Sequence, residues 1–389
     1  MYKILTLNNI SVKGLDRLPR ERYEASSEIQ HPDGILLRSH KMHGMALPET
    51  VKAVARAGAG VNNVPVDELS HRGIPVFNTP GANANAVKEL VVAGLLLAAR
   101  NICPAWAFAR GLEGDDAEIN RQAESGKKQF VGFELPGRTL GVIGLGAIGV
   151  QVANAARALG MKVIGYDPQI TIHSAWKLEA DVRRAHSVDE VFAESDAITL
   201  HVPEIDATRG LVNADRLAQV REGAVLLNFA RSGIVEEPAV VEALDAGRLG
   251  AYICDFPSNA LKDHDRAVTL PHIGASTNEA QDNCAIMAAD QLRDYLETGN
   301  VVNSVNFPEM MLPRNGAGDR LTVANNNVPN MLGQISTALA DAGLNIADMY
   351  NKSRNDLAYT VVDVEGSIPG ELVERIRGIE GVLAVRVIE

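Results

Sequence analysis

Two side chains of complementary chemistry stand 41 residues apart in this 389-residue chain, each just past an apolar run. Arg231 follows Leu226-Leu227-Asn228-Phe229-Ala230, and His272 follows Leu270-Pro271. An arginine stays charged at any ordinary pH and can grip a carboxylate with two parallel hydrogen bonds. A histidine changes charge near neutrality, so it can take a hydroxyl proton and give it back. Together they suit a 2-hydroxy acid whose carbon gives up a hydride while its oxygen gives up a proton. Taken singly, each reads as readily as a surface arginine or a structural histidine. A hydride acceptor nearby decides between these readings.

The chain carries a site for one. An apolar run, Leu140 to Ile143, leads into Gly144-Leu145-Gly146-Ala147-Ile148-Gly149, a G-x-G-x-x-G pattern. Ile148, Val152, Ala156 and Leu159 then recur at helical spacing, and Lys162 to Tyr166 reads as a second strand. Asp167 ends it, 18 residues after Gly149, close to the roughly 20 expected of a dinucleotide-binding unit. Gly144 permits a tight turn, Gly146 lets the backbone approach a pyrophosphate, and Gly149 lets helix and strand pack closely. The helix N-terminus offers unpaired N–H groups to the phosphates. Asp167 would accept from the ribose hydroxyls and repel a 2′-phosphate, which predicts NAD rather than NADP. The bland alternative is a glycine-rich turn without a ligand.

Strands alternating with helices must carry these residues. Lys3–Leu7, Gly34–Arg38, Val51–Ala57 and Pro75–Phe77 read as strands, and 65–72 and 84–100 as helices. Further strands follow at 197–201, 224–228, 250–254 and 267–270. The pattern predicts an α/β chain with two doubly wound parallel-sheet domains, one flavodoxin-like and one a Rossmann domain. Arg231 and His272 would then stand at carboxyl ends of strands, where such sheets bind ligands. Ser276-Thr277-Asn278-Glu279 opens a helix to about residue 295. Pro308, Pro313, Asn315, Gly316 and Gly318 read as a linker over 308–318. The remainder, 319–389, reads β-α-β-β-α-β, a ferredoxin-like α+β order. The expected domains are 1–100 with 286–307, 101–285, and 319–389.

Composition fits this plan. Hydrophobic residues make up 46% and charged residues 22%, ordinary for a globular protein. A net charge of −12 disfavours nucleic acid and anionic membrane as partners. The longest apolar run, 91–99, is too short to span a bilayer, and the first residues read as a strand rather than a targeting segment. Cys103, Cys254 and Cys284 lack metal-site spacing and suit a reducing cytoplasm.

Gly144–Gly149, His201-Val202-Pro203, Asn228-Phe229-Ala230-Arg231-Ser232-Gly233 and Pro271-His272-Ile273-Gly274-Ala275-Ser276-Thr277 together resemble the D-2-hydroxyacid dehydrogenase family. The resemblance extends to Leu36–Ser39, Gly58–Asn63 and Asn78–Asn83, and the C-terminal segment resembles a small-molecule-sensing ACT domain. It implies NAD-dependent oxidation of 3-phospho-D-glycerate to 3-phosphohydroxypyruvate, the first step of serine synthesis. On this resemblance Arg231 clamps and polarises the substrate, His272 is the acid/base, and Asp255 holds the nicotinamide carboxamide. Ala147, Ile148, His201, Val202 and Pro203 would line the cofactor, as would Phe229, Ala230, Gly274 and Ala275. Arg38, Ser39, Gly60, Val61 and Asn83 would meet the substrate. Lys41, with His40 and His43, could add positive charge for a phosphate, or form a solvated basic loop. A homodimer or larger homo-oligomer is implied.

Three departures qualify the resemblance. The family's Glu, which orients the catalytic histidine, falls on Asn259 or Ala260 here. Asn259, Asp263 or Asp265 could substitute, or nothing does. A Trp that joins subunits in many relatives is absent from 126–130. Relatives that bind serine use a His, an Asn and a Pro-Gly, where this chain has Asn325, Asn327 and Pro329-Asn330, followed by Asn345-Ile346. Asn325, Asn327 and Asn345 could therefore hold a serine effector, or the module could only join subunits. Two alternatives to the leading reading stay open: reduction of another 2-oxo acid such as glyoxylate or hydroxypyruvate, and a non-catalytic NADH sensor.

Overall fold

The computed structural model describes residues 1–314 and 318–389, so Asn315 and Gly316 of the expected linker lie outside the described residues. The chain forms two compact units: residues 1–83 with 278–389, and residues 84–277. This moves two expected boundaries. The helix Ala84–Ala99 belongs with the dinucleotide unit rather than with residues 1–83, and Asn278–Thr298 belongs entirely to the other unit. The first of these packs Val87, Val91, Leu95 and Ala99 into the same core as Leu140, Val142 and Leu227.

In the first unit, β1 (Tyr2–Leu7), β2 (Tyr23–Ser26), β3 (Gly34–Leu37), β4 (Ala53–Arg56) and β5 (Val76–Phe77) form a parallel sheet in the order β2-β1-β3-β4-β5. This is the flavodoxin-like order. Ile35, Leu36 and Leu37 are fully buried, as expected of a parallel strand covered on both faces. In the second unit, β6 (Thr139–Ile143), β7 (Lys162–Tyr166), β8 (Arg183–Arg184), β9 (Ala197–Leu200), β10 (Ala224–Asn228), β11 (Leu249–Cys254) and β12 (Ala267–Thr269) are also all parallel. Their order, β12-β11-β10-β9-β6-β7-β8, is the Rossmann winding extended by one strand.

The C-terminal module contributes β13 (Arg320–Asn326), β14 (Asn345–Arg354), β15 (Leu357–Glu365) and β16 (Val382–Ile388) in the antiparallel order β14-β15-β13-β16. Helices Met331–Asp341 and Gly370–Arg377 complete the ferredoxin-like pattern. Its other sheet face docks within the first unit, where Ala324, Tyr359 and Val361 join the core of Phe77, Tyr295 and Phe307.

Arginines of the module close the end of the helix Asn278–Thr298. The last carbonyls of any helix lack partners inside it. Here Arg386 donates to the carbonyls of Tyr295 (3.3 Å) and Leu296 (3.0 Å), its guanidinium lying over the Tyr295 ring. Arg320, fully buried, donates to the carbonyls of Thr298 and Leu312, each at 2.9 Å, and grips both oxygens of Asp363 at 2.6 and 2.7 Å. Cations also suit the negative end of a helix dipole. Removing one partner of a buried ion pair costs about 3–5 kcal/mol, because the other is left as an uncompensated charge. Arg320→Met is therefore expected to lower the unfolding midpoint of the first unit in a urea titration. Pairing it with Asp363→Leu should recover part of the loss, and equal midpoints for Arg320→Met and the unsubstituted protein would contradict the assignment.

Candidate active site

The fingerprint turn has the shape its glycines require. Gly144 takes φ +92°, and a Cβ there would come within 2.5 Å of the His201 carbonyl oxygen. A Cβ on Gly149 would lie 1.9 Å from the Gly144 oxygen. Gly146 differs, because a Cβ there would meet no protein atom within 4 Å. Packing does not demand that glycine, whereas a phosphate passing over the backbone would. Gly146 precedes the helix Ala147–Ala158 and no side chain caps it, so the first N–H groups are left for an anion. Asp167 Oδ2 accepts from the Leu145 N–H and Oδ1 from the Gln169 N–H, both at 2.8 Å. Each carboxylate oxygen can accept again, which leaves capacity for two ribose hydroxyls. These residues fit a nicotinamide dinucleotide.

His201-Val202-Pro203 follow the carboxyl end of β9. Burial pushes the His201 imidazole down to about 3, so it is neutral, with Nε2 2.9 Å from Thr199 Oγ1. Phe229 and Ala230 follow β10. The Phe229 ring is buried against Gly94, so it supports the site from beneath rather than offering its side chain to a ligand.

Arg231 and His272 are held by two buried polar side chains at the ends of adjacent strands. Asn228 ends β10 with no exposed surface. Its Nδ2 donates to the Arg231 carbonyl at 2.9 Å and its Oδ1 accepts from the Ala230 N–H at 3.1 Å. Asp255, 1% exposed, follows β11 and donates its own N–H to the Asn228 carbonyl. Its Oδ1 accepts from the Ile273 N–H at 2.8 Å and its Oδ2 from the Gly274 N–H at 2.7 Å. Its carbonyl accepts from the His272 N–H at 3.1 Å. His272 takes φ +55°, a left-handed conformation that a non-glycine residue keeps only when its surroundings enforce it. Asp255 therefore braces the histidine turn. The expected carboxamide contact would have to share oxygens already engaged by the protein. Ala275 continues the same turn. Arg231 and His272 are both exposed, as groups that meet a substrate must be.

Among the described residues no carboxylate lies within ion-pairing distance of the His272 ring. Asp263 is exposed and sits 3.6 Å from Lys262, and Asn259 and Asp265 are exposed as well. The ring instead meets Phe256.

Arg38, Ser39 and Lys41 follow β3, Gly60 and Val61 follow β4, and Asn83 lies beyond β5, all at the carboxyl edge of the first unit's sheet. Asn63 Nδ2 donates to the carbonyls of Arg38 (3.1 Å) and His40 (2.7 Å), and fixes the basic loop. Lys41 is exposed, and His43 Nε2 lies 3.0 Å from the Asn62 oxygen. Arg56, absent from the expected set, ends β4 and donates from Nε to the Arg38 carbonyl at 3.0 Å. Its guanidinium lies so close over Gly58 that any Cβ there would strike it. The signal was available, a cation at a strand's carboxyl end, as for Arg231.

The three effector candidates do not meet within one chain. Asn325 pairs with Ala358 and Asn345 with Glu365, seven positions along β15, or roughly 23 Å at strand rise. Asn325 is buried with Oδ1 unpartnered, and Asn327 donates to the Asn355 carbonyl at 3.1 Å. Asn330 keeps a glycine-like φ of +64°.

Asn228→Ala leaves the Arg231 carbonyl without its donor and frees the turn. It is expected to lower kcat/KM for a 2-oxo acid about a hundredfold, while NADH affinity, read by fluorescence titration, stays within about threefold. Unchanged kcat/KM would contradict the role given to Asn228.

Residues 102–274 match the family model described as "D-isomer specific 2-hydroxyacid dehydrogenase, NAD binding domain". The chain is 35% identical over 381 residues to D-3-phosphoglycerate dehydrogenase of Haemophilus influenzae, covering 95% of this chain and 88% of that one. It is 31% identical over 388 residues to the Escherichia coli protein of the same name, covering 95% and 90%. Among solved structures it is similar to the NAD+-bound 3-phosphoglycerate dehydrogenase of Entamoeba histolytica, with a TM-score of 0.60 and 27% identity over 78% of this chain and 98% of that one. Full-length identity, the Rossmann winding and the braced Arg231 and His272 turns converge on one conclusion: the chain belongs to the D-isomer specific 2-hydroxyacid dehydrogenase family.

Proposed function

We propose that this enzyme oxidises 3-phospho-D-glycerate to 3-phosphohydroxypyruvate with NAD, the first step of L-serine synthesis. The observation that carries the reading is the pair of braced turns presenting Arg231 and His272 at the carboxyl edge of a sheet that also holds a pyrophosphate turn. NAD, when bound, accepts the hydride from the substrate's C2. Arg231 holds the carboxylate and polarises the oxygen on C2. His272 takes the hydroxyl proton as the carbonyl forms, and returns it in the reverse direction. Arg38 and Arg56, with the exposed Lys41, supply the further positive charge that a phosphorylated acid needs. The uncharged C3 hydroxyl of hydroxypyruvate would make no use of them, nor would glyoxylate, which has no C3, and this favours the phosphorylated substrate. The same residues are superfluous to an NADH sensor.

The module is read as ACT-like and regulatory. β14 is an edge strand of ten residues, largely exposed, and an exposed edge invites a second chain. A second copy pairing antiparallel along β14 would set its own Asn345 beside the Arg354–Asn355 end, where Asn327 is bound. Serine would then bind between copies of a homo-oligomer. No single helix among the described residues is long and apolar enough to cross a membrane, and the unpaired cysteines fit a cytoplasmic setting.

In NADH-dependent reduction, 3-phosphohydroxypyruvate should exceed hydroxypyruvate, glyoxylate and 2-oxoglutarate by at least about a hundredfold in kcat/KM. Equal use of hydroxypyruvate would overturn the substrate assignment. Asp167→Ala should raise KM for NAD and lower it for NADP. Serine should slow the wild-type enzyme, and Asn345→Ala should abolish that response without changing uninhibited kcat. Full serine inhibition of Asn345→Ala would remove Asn345 from the effector site.

A further inference from the structure

We infer that Phe256 positions the His272 imidazole, so that an aromatic ring takes the orienting part that a carboxylate could otherwise play. This rests on the reading of His272 as the acid/base of the reaction. The backbone of His272 is fixed, because its N–H donates to the carbonyls of Asp255 and Leu270 and the next two N–H groups donate to the Asp255 carboxylate. That fixes the direction of Cβ but leaves two side-chain torsions to settle. A base that wanders over several rotamers spends little time within reach of the hydroxyl proton.

Among the described residues the ring's aromatic partner is Phe256, with centroids 5.3 Å apart and planes at 71°. This is the edge-to-face arrangement that aromatic rings prefer. Phe256 is itself held in place. It directly follows Asp255, and its carbonyl lies 3.4 Å from Cys254 Sγ, within hydrogen-bond reach of the thiol. Three consecutive residues thus hold the whole base: Cys254 steadies Phe256, Asp255 the backbone of His272, and Phe256 its ring. A phenyl ring has no lone pair to engage an imidazole nitrogen, so it constrains the ring while leaving both nitrogens for proton transfer.

Wild type, Phe256→Leu, Phe256→Tyr and His272→Gln separate this from a general loss of structure. Leucine removes the ring and tyrosine keeps it. In Phe256→Leu, kcat for 3-phosphohydroxypyruvate should fall about tenfold, with KM for NADH within about twofold. Phe256→Tyr should retain at least about half of the wild-type kcat. Independently of activity, the ring C–H resonance of His272, assigned by its absence from His272→Gln, should shift in Phe256→Leu as the neighbouring ring current is lost. If the leucine variant does not fold, Phe256→Met makes the same comparison. An unmoved resonance or an unchanged kcat in the ring-less variant overturns the inference. A wild-type enzyme that reduces no 2-oxo acid would overturn the functional reading instead, and the resonance would still decide whether Phe256 orients the ring.

Discussion

The 272–274 turn depends on one buried carboxylate. Asp255 has almost no contact with water, and burying a charge is costly unless hydrogen bonds compensate it. Here the compensation comes from the N–H groups of Ile273 and Gly274. The carboxylate can be satisfied only if the 272–274 turn is folded against it, and folding that turn forces His272 into its left-handed conformation. Asn228 does the same for Arg231, and the two are linked through the Asp255 N–H and the Asn228 carbonyl. Arg231 and His272 are thus set by two buried side chains, Asn228 and Asp255.

Each unit has its own features. The Rossmann sheet carries a glycine turn in which Gly144 and Gly149 are demanded by packing, whereas a Cβ on Gly146 would meet no protein atom within 4 Å. The first unit gathers Arg38, Arg56 and Lys41 at the ends of neighbouring strands. Its long helix, about 32 Å at α-helical rise, starts six residues after His272 in the chain and ends under Arg320 and Arg386 of the C-terminal module. The module is tied to this helix by Arg320 and Arg386.

Much of this was legible in the residues. The glycine spacing and Asp167 identify the dinucleotide unit because each position answers a separate steric or electrostatic demand. The C-terminal β-α-β-β-α-β order follows from clean alternation of strand and helix patterns. Strands β2 and β8 were not legible: Tyr23–Ser26 is a short edge with little apolar content, and Arg183–Arg184 has none. The boundary at residue 84 was misplaced because an apolar helix shows that it is buried but not against which core. Arg231 and His272 could be found from strand-end chemistry, whereas Asn228 and Phe256 could not. Their roles come from contacts with residues three and sixteen positions away, which only the folded chain brings together. The three asparagines of the module look like one site in sequence and are split across the sheet by its antiparallel register.

The most direct test of the account is the single-turnover rate of hydride transfer from NADH to 3-phosphohydroxypyruvate in Asp255→Asn. The amide keeps the shape of the acid but turns a donor towards one of the two backbone N–H groups, at a cost of about 1–3 kcal/mol for the unsatisfied group. The variant is expected to fold, still bind NADH and transfer hydride at least about tenfold more slowly, since the histidine turn is no longer held. A rate within about twofold of wild type would show that the turn stands without the carboxylate, and would contradict the central claim.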